Sequence, residues 1–296
     1  MLLSILTPSR NYGRFMSDAL ESVEAQRDQD VEHIVVDGAS TDGTLGLLQR
    51  WSDRVRFVSE PDNGQSDALN KAAAMAKGDW VGWLNADEFY LPGAFEAVRA
   101  AIRRAPDADV VYGDFCLVDV RGHLLRLSPQ HPFHQRTLRW YGPIMGSCAV
   151  FIRTAALPER GWDTSLGRMM DWDLYLELAG RRARFVHVAA AMAAFRLHGD
   201  QVTARQVDNW AGEGRQVRIR HRLTPEPGPA RLLRAVGQVD HGARKLATGA
   251  YRRQVRVRRA VGGADLRWFS SPEARRNAEL LRSVASSPPR VEHDGS

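Results

Sequence analysis

The sequence has few of the features that mark secreted, zinc-binding or disordered proteins. Only two of its 296 residues are cysteine, Cys116 and Cys148. Both lie in apolar stretches without a histidine or cysteine at metal-ligand spacing, so we expect neither a disulfide framework nor a zinc site. Hydrophobic residues make up 44% of the chain and charged residues 26%. This composition is typical of a globular protein that is long enough to bury a substantial core, in which both cysteines are predicted to lie.

Long apolar segments are also absent. No run reaches the ~18–20 residues that a membrane-spanning helix requires. The first ten residues, MLLSILTPSR, lack the basic flank and the small-residue cleavage site of a signal peptide. The sequence therefore predicts a cytoplasmic protein.

Charge is distributed unevenly along the chain. Residues 1–204 hold 22 Lys and Arg against 26 Asp and Glu, whereas residues 205–296 hold 19 against 9, within a total net charge of +6. A basic segment of this kind can bind nucleic acid, lie against anionic lipid, or solvate helices that pack on another domain. The segment contains no recognised nucleic-acid-binding motif, so we expect no nucleic-acid partner. Contact with the anionic inner face of the cell membrane is the hypothesis that the charge favours.

Strand-like and helix-like patterns alternate in the first part of the chain. Strand-like segments occur at residues 2–8, 33–38 and 56–60, and each is followed by a segment that is predicted to be helical. Three such repeats predict an α/β protein with an open, mostly parallel twisted sheet and flanking helices, whose ligands bind at the carboxyl ends of the strands. Beyond about residue 205 the pattern changes to arginine-rich helices, and residues 286–296 are predicted to be disordered.

A fourth apolar run, WVGWL, leads directly into the first candidate site, Asn85-Ala86-Asp87-Glu88. Asn85 and Asp87 project to one side of an extended chain, whereas Glu88 is expected to turn into the following loop. Oxygen ligands of this kind suit Mg²⁺ or Mn²⁺, which bind the phosphates of nucleotides. Taken alone, however, four residues of this type are more often a polar strand end.

Other acidic side chains follow the second and third strands at the same predicted edge. Asp37 ends an uninterrupted apolar run and could accept a hydrogen bond from a nucleotide base. The loop after Asp37 fits a capped turn before a helix. Asp67 begins the helix after the third strand, and Asp62 fits a solvated, capped turn.

Seven sequence blocks follow one another along the first two thirds of the chain. They are TPSRN, VVDGASTDGT, SEPDNGQSDALNKA, GDWVGWLNADE, VVYGD, MMDWDLYLELA and FRLHGDQVT, within about residues 3–203. In these blocks the chain resembles glycosyltransferase family 2, a family of GT-A-fold enzymes, which implies an inverting hexosyltransferase that uses a nucleotide-sugar donor and a divalent cation, Mn²⁺ or Mg²⁺. We predict a GT-A catalytic domain at 1–204, with a nucleotide-sugar-binding half at 1–115 and an acceptor half at 116–204. A basic helical region at 205–285 follows.

The resemblance implies roles for the residues that match family positions. Asp171, at the start of a helix, matches the general base, which deprotonates the acceptor hydroxyl while the metal stabilises the departing diphosphate. Asp87 matches a metal ligand. His198 resembles the late histidine of the family, which can join the metal or contact the diphosphate, although a lone histidine is more often a structural residue. The nucleotide-sugar contacts implied by the resemblance are Thr7, Pro8, Asp37, Asp67, Asn85 and Ala86. Asn85 and Glu88 stand where Asp is frequent in the family, so the number of protein oxygens on the ion stays open.

Four further residues are candidates with two interpretations each. Glu88 could add an oxygen ligand or belong to the loop, and Arg196 could bind phosphate or serve as a packing partner. Asp173 could contact the acceptor or be structural. Trp162 could stack on a sugar, although an aromatic residue before a turn is more often part of the core.

UDP- and dTDP-sugars are the favoured donors, and GDP-sugars stay open. The acceptor could be a glycan, a lipid-linked glycan or cell-envelope precursor, or a small molecule. Two other functions remain: a nucleotidyltransferase with a similar sheet, and a non-catalytic nucleotide-sugar-binding protein. The first usually has a glycine-rich basic loop after the first strand, which TPSRNYGRF does not resemble. The second would have no need for Asp171.

Overall fold

A computed structural model describes residues 1–199, 201, 210–223 and 229–286, which form helices around one mixed sheet. The strands are β1 Leu3–Ser9, β2 Val31–Asp37, β3 Arg56–Ser59, β4 Trp80–Trp83, β5 Phe89–Tyr90, β6 Val110–Val118, β7 Leu124–Ser128, β8 Val150–Arg153 and β9 Phe185–Arg196. The helices are α1 Gly13–Glu24, α2 Thr44–Arg50, α3 Gln65–Met75, α4 Ala94–Arg104, α5 Gln135–Trp140, α6 Met170–Gly180, α7 Trp210–Arg220, α8 Pro229–Ala247, α9 Ala250–Val261 and α10 Pro272–Ser286.

The first four strands form the parallel part of the sheet, in the order β3-β2-β1-β4. Both faces of this part are covered, because alternate side chains of a strand point to opposite faces. Leu3 and Ile5 of β1 pack in one core cluster with residues of α1 and α4, whereas Leu6 packs in another with residues of α3 and α6. The carboxyl ends of β1 and β2 therefore lie side by side at one edge, as the repeated strand–helix pattern predicts.

The rest of the sheet continues from β4 in the order β8-β6-β9-β5, and β7 pairs with β6. β8 is antiparallel to both of its neighbours, while β6 and β9 are parallel. The short strand β5 pairs with the end of β9 through Phe89 and Tyr90. The predicted α/β fold, a mostly parallel sheet with flanking helices and a helical carboxyl-terminal region, is confirmed, and the antiparallel β8 and β5 are added to it.

Buried polar contacts fix the carboxyl-terminal helices to the sheet. The Asp114 carboxylate on β6 accepts hydrogen bonds from Arg253 of α9, with the shortest contact at 3.1 Å. His131 Nε2 lies 3.0 Å from His241 Nδ1 of α8. The basic helices are therefore packed on the α/β part of the chain.

Three predicted boundaries can be placed on this fold. The division between residues 115 and 116 falls inside β6, so the two predicted halves share that strand. The boundary at 204 and 205, and residues 287–296 of the predicted disordered tail, lie outside the described residues. Cys116 and Cys148 are free and buried, as predicted. None of the helices in the described ranges has the length and apolar content needed to cross a bilayer.

Candidate active site

The loop after β4 brings the predicted Asn85–Glu88 site to the carboxyl edge of the sheet. The N–H of Leu84 donates to the carbonyl of Leu6 at 3.0 Å, which extends the β1–β4 pairing by one residue. The N–H of Glu88 then donates to the carbonyl of Asn85 at 3.1 Å and closes a tight turn. The chain continues into β5, which pairs with the end of β9. Residues 85–88 therefore lie beside the segment that follows β9.

Asp87 and His198 meet at this edge. His198 Nε2 lies 2.9 Å from Asp87 Oδ2, and the two side chains are 4% and 8% exposed. The His198 ring also packs on Phe15 of α1, with the ring centroids 4.6 Å apart. The two residues predicted to bind metal thus come together, although they are far apart in the sequence.

Arg196 holds the backbone at Asp87. This buried guanidinium donates to the Asp87 carbonyl at 2.9 Å and to the Val120 carbonyl at 2.8 Å, and it pairs with the Asp18 carboxylate of α1. All three contacts are made within the protein. Of the two interpretations of Arg196, the structure supports the packing partner.

Asn85 is oriented by two side chains from different elements. Its Oδ1 accepts hydrogen bonds from Gln65 Nε2 at 2.5 Å and from Trp83 Nε1 at 2.7 Å. Gln65 begins α3 and was missed as a site residue, although it lies in one of the sequence blocks that carry the family resemblance. The sequence feature that could have identified Gln65 is its position as a polar residue at the start of a helix next to the same sheet edge.

The expected direction of the Glu88 side chain is wrong. Glu88 is 1% exposed, and its Oε2 accepts a hydrogen bond from the Asn85 N–H at 3.0 Å. Burial, followed by the negative charge of Asp87, raises the pKa of Glu88 to about 8. Glu88 is the last residue of the loop before β5, and its side chain turns inward, behind the sheet edge.

Asp171 begins α6, and two contacts fix the start of that helix. The Ser66 hydroxyl of α3 donates to the Met170 sulfur at 2.9 Å, and Trp172 Nε1 donates to the Leu138 carbonyl at 2.8 Å. Ser66 adjoins Gln65, which bonds Asn85, so α3 connects the start of α6 to the loop after β4. Burial raises the pKa of Asp171 to about 6. A half-buried carboxyl group with this pKa can accept a proton near neutral pH.

Asp173 and Trp162 have structural partners. The fully buried Asp173 carboxylate is bound by Arg160 at 2.7 Å, Arg220 at 2.9 Å and His221 at 2.8 Å, which ties α7 to α6. Trp162 is 1% exposed, which leaves no ring face for a sugar. The structural interpretation of Asp173 and the core interpretation of Trp162 are the ones that these contacts support.

Three of the residues assigned to the nucleotide, Thr7, Pro8 and Asp37, lie at the ends of β1 and β2. Asp37 is buried and accepts hydrogen bonds from Ser59 Oγ at 2.7 Å and from the Ser40 N–H at 2.9 Å. Thr7 Oγ1 lies 2.9 Å from the buried His33 Nε2, and Pro8 is buried beside it in β1.

Asp67 has local partners at the start of α3. Its carboxylate accepts a hydrogen bond from the Asn63 N–H at 3.0 Å and lies 3.6 Å from Lys71 Nζ. The Asn63 N–H lowers the pKa of Asp67. Asp67 therefore orders the loop before α3.

Few side chains at this edge of the sheet are of the kind that binds a metal ion. In the parts of the chain that the structure describes, no group of three or more His, Cys, Asp or Glu side chains is arranged to hold a metal ion. Asp87 and His198 form a pair, with one carboxylate and one imidazole. Such a pair fits Mn²⁺ only if a substrate and water supply the other ligands.

A model of glycosyl transferase family 2 matches residues 4–160, which include every strand up to β8 and the whole Asn85–Glu88 loop. The chain belongs to this family. The prediction of a family 2 glycosyltransferase is therefore confirmed at the level of the family. The matched segment ends before Asp171 and His198, so the assignments of those two residues stay predictions.

The chain spans only part of the length of the curated relatives that it matches. It is 28% identical over 210 residues to the chondroitin synthase of Escherichia coli, which covers 70% of this chain and 30% of that protein. It is 26% identical over 210 residues to the chondroitin synthase of Pasteurella multocida, which covers 70% and 22%. The match thus spans less than a third of either synthase.

Solved structures share the fold of this family 2 chain. S. aureus TarS, solved with UDP-GlcNAc, has a TM-score of 0.61 at 18% identity and covers 97% of this chain and 91% of its own. The mannosyltransferase PcManGT of Pyrobaculum calidifontis, solved with GDP-Man and Mn²⁺, has a TM-score of 0.56 at 19% identity and covers 96% and 85%. The fold is GT-A-like. The likeness to these two structures includes the carboxyl-terminal helices as well as the sheet.

Proposed function

We propose that this chain is an inverting glycosyltransferase that moves a sugar from a nucleoside-diphosphate sugar to an acceptor hydroxyl by a metal-assisted single displacement. The observation that carries the proposal is the meeting of Asp87 and His198 at the carboxyl edge of the sheet. α3 joins this edge to the start of α6, where Asp171 lies. A metal-ligand pair and a carboxylate of raised pKa are the protein groups that this reaction requires.

Asp87 and His198 would hold the divalent cation, Mn²⁺ or Mg²⁺. The ion would neutralise the charge that develops on the departing diphosphate. Because no third His, Cys, Asp or Glu side chain joins this pair among the described residues, the donor diphosphate would supply further oxygens. Arg196 keeps the Asp87 carbonyl fixed, which holds the backbone of the metal ligand in place. Metal binding is therefore expected to strengthen when the nucleotide is present.

Asp171 would act as the general base. Burial raises its pKa to about 6, so the group is a carboxylate at neutral pH and still basic enough to take a proton from an acceptor hydroxyl. The acceptor oxygen would form the new bond to C1 of the sugar as the bond from C1 to the diphosphate breaks. The proton would move to Asp171, and no covalent intermediate with the protein is needed.

The nucleotide would bind along the ends of β1 and β2, beside Thr7 and Pro8. A carboxylate offers about four acceptor positions, and Asp37 uses some of them on Ser40 and Ser59. A remaining position could accept an N–H of the base. Asn85 and Ala86 would contact the ribose and phosphates. Asp67 would contribute indirectly, by keeping the loop before α3 ordered.

UDP- and dTDP-sugars are the favoured donors in this proposal, and GDP-sugars remain open. TarS is bound to UDP-GlcNAc and PcManGT to GDP-Man with Mn²⁺, which supports a nucleotide-sugar donor without selecting one. The acceptor would be a glycan, a lipid-linked precursor or a small molecule. The basic helices α7–α10 would contact an anionic membrane surface.

The two other functions are less well supported. A nucleotidyltransferase would need a glycine-rich basic loop after β1, whereas the residues here run Arg10-Asn11-Tyr12-Gly13 and lead into α1. A non-catalytic nucleotide-sugar-binding protein would have no use for a carboxyl group of raised pKa at the start of α6. Family membership and Asp171 together favour the transferase.

A donor screen tests the proposal. UDP-, dTDP- and GDP-sugars are incubated with the protein, with Mn²⁺ or with a chelator, and release of nucleoside diphosphate is measured. We expect release from at least one donor that depends on the cation. For a donor that is turned over, NMR of the product should show the inverted anomeric configuration. Retention of configuration, or cation-independent release, would contradict the mechanism.

A further inference from the structure

Helix α8 carries an exposed row of apolar side chains. Leu232, Val236, Val239, Ala243 and Leu246 are spaced four, three, four and three residues apart, so they lie on one face of the helix. Leu232 is 67% exposed, Val236 44%, and Val239 and Leu246 73% each. Exposed apolar residues that stand singly need no explanation, but a continuous row marks an interaction surface. We name these five residues the α8 stripe.

The opposite face of α8 is fixed to the rest of the protein. Gly237 packs closely against Trp140 and Tyr141 at the end of α5. His241 is buried, bonded to His131 and stacked on the Tyr141 ring with the centroids 4.5 Å apart. Because these contacts set the rotation of the helix, the α8 stripe faces outward as part of the folded structure.

Helix α9 extends this apolar surface. The Tyr251 hydroxyl lies 3.8 Å from the position that a Cβ on Gly242 would occupy, so the Tyr251 side chain reaches α8 between Val239 and Leu246. Tyr251 is 44% exposed, and Val255, one turn further along α9, is 50% exposed. The two helices together present an apolar surface that is larger than the α8 stripe alone.

Positive charge surrounds this surface. Residues 229–263 contain nine Lys and Arg and one acid, Asp240. The Asp240 carboxylate is already bonded to Arg244 at 2.9 Å and to the Thr137 hydroxyl at 2.6 Å. The exposed arginines at positions 252, 258 and 259 lie on α9 near Tyr251 and Val255, and Arg234 of α8 is exposed as well. The surface therefore combines apolar side chains with a large excess of positive charge.

We propose that α8 and α9 dock on an anionic lipid bilayer, with the α8 stripe, Tyr251 and Val255 inserted at the interface and the arginines on the headgroups. Apolar residues on one side with basic residues around them are typical of helices that lie in the membrane plane. The inference deepens the proposed membrane contact, because it assigns a hydrophobic contribution to specific residues. It does not depend on the transferase reaction.

Charge separates this partner from two others. A second copy docked stripe to stripe would bring together two surfaces that each have exposed arginines at positions 234, 252, 258 and 259, and like charges repel. A nucleic acid would match the charge but would leave the α8 stripe without an apolar partner. An anionic bilayer satisfies both the apolar and the basic parts of the surface.

Co-sedimentation of the full chain with vesicles tests the proposal. Vesicles of phosphatidylcholine alone are compared with vesicles that contain phosphatidylglycerol as well. The wild-type chain should bind the anionic vesicles at least tenfold more tightly. The double variant Val239→Ser and Leu246→Ser should lose at least tenfold in that binding. The matched control is Leu125→Ser, which changes a 51% exposed leucine on β7 and should bind like the wild type.

A site-specific dye reports insertion independently of sedimentation. Since both native cysteines are buried, a new thiol in Val239→Cys can be labelled selectively with an environment-sensitive fluorophore. Its emission should shift to the blue when anionic vesicles are added, whereas the same label in Leu125→Cys should not shift. Circular dichroism of every variant checks that the fold is retained.

Three results would overturn the proposal. Equal binding of the wild type to both kinds of vesicle would show that the bilayer need not be anionic and would contradict the proposed partner. Unchanged binding by the double serine variant, with no shift of the label, would leave only an electrostatic contact. If the wild type is a dimer and the double serine variant is a monomer, the α8 stripe is a contact with a second copy of the chain rather than with a bilayer. Donor turnover, measured in parallel, distinguishes each result from a failure of the proposed reaction.

Discussion

His198 Nε2 lies 2.9 Å from Asp87 Oδ2, although 111 residues separate the two positions. The contact forms because β5, which follows Asp87, pairs with the end of β9, which precedes His198. The two strands thus deliver a carboxylate and an imidazole to one point at the sheet edge. This pair is the basis of the proposed metal site, and several predictions depend on it.

Substitution of His198 should weaken metal binding. His198→Ala removes one of the two proposed protein ligands, and we expect the apparent affinity for Mn²⁺ in the presence of a nucleoside diphosphate to fall on the order of 10–100-fold. Isothermal titration of Mn²⁺ in the presence of UDP measures the effect. His123→Ala, in the turn between β6 and β7, is the matched control and should bind as the wild type does.

Loss of Arg196 should destabilise the fold and displace Asp87. Arg196→Met removes the bonds to the carbonyls of Asp87 and Val120 and leaves Asp18 without its partner. Breaking a buried ion pair from one side costs about 3–5 kcal/mol. Denaturant unfolding should show a loss of this order. A variant as stable as the wild type would show that Arg196 does not hold this edge.

Activity should follow the ionisation of Asp171. Its raised pKa of about 6 predicts that kcat/KM rises about tenfold per pH unit below pH 6 and levels off above it. The base is active as a carboxylate, so the loss occurs on the acidic side. A profile measured with saturating cation tests this, and a rate that stays constant down to pH 5 would exclude Asp171 as the titrating group.

The same pKa has a consequence for stability. Because the folded state raises the pKa of Asp171 above its ordinary value of 3.8, the protonated form is favoured on folding, and this contribution is lost as the pH rises from about 4 to about 6. Asp171→Asn should therefore be more stable than the wild type at pH 7.5, by about 1–3 kcal/mol. The difference should nearly vanish at pH 4. Thermal unfolding at the two pH values measures it.

A methyl group at Gly82 should disturb the strand that leads to the site. A Cβ at this position would lie 2.7 Å from the Phe151 ring and 2.9 Å from the Tyr90 hydroxyl. Since all of these groups are buried, Gly82→Ala should cost about 1–3 kcal/mol. Gly46→Ala is the control, because the nearest atom to its added Cβ is 3.9 Å away. Equal stability of the two variants would contradict the packing at Gly82.

Much of the fold could be predicted from the sequence because its signals are local. The apolar runs before Asp37 and Asn85 identify buried strands, and their order along the chain identifies a parallel sheet. The antiparallel strand β8 and the short strand β5 carry no comparable signal. β5 has only two residues, and its pairing depends on where β9 ends.

Side-chain direction was harder to predict than position in the chain. The Glu88 side chain was expected to turn into the loop, but the tight turn at Asn85 directs it inward, and this turn depends on the pairing of β5. The partners of Asp173 and Arg196 come from segments far away in the sequence. Spacing along one strand or helix contains no information about such contacts.

The carboxyl-terminal helices could also be predicted only in part from the sequence. Their positive charge was evident from composition, whereas the α8 stripe was not recognised. Its heptad-like spacing was visible in the sequence, but only the packing of His241 and Gly237 against α5 shows which face points outward. Tertiary contacts therefore decided how this segment is interpreted.

Comparison of Asp171→Asn with the wild type tests the central claim most directly. For a donor that the wild type turns over, single-turnover transfer is measured alongside Mn²⁺-dependent donor binding. We predict wild-type donor binding and a transfer rate reduced about 10²–10⁴-fold. Asp87→Ala, in contrast, should lose the cation-stimulated binding itself. Full turnover by Asp171→Asn would contradict the assignment of the base and, with it, the proposed mechanism.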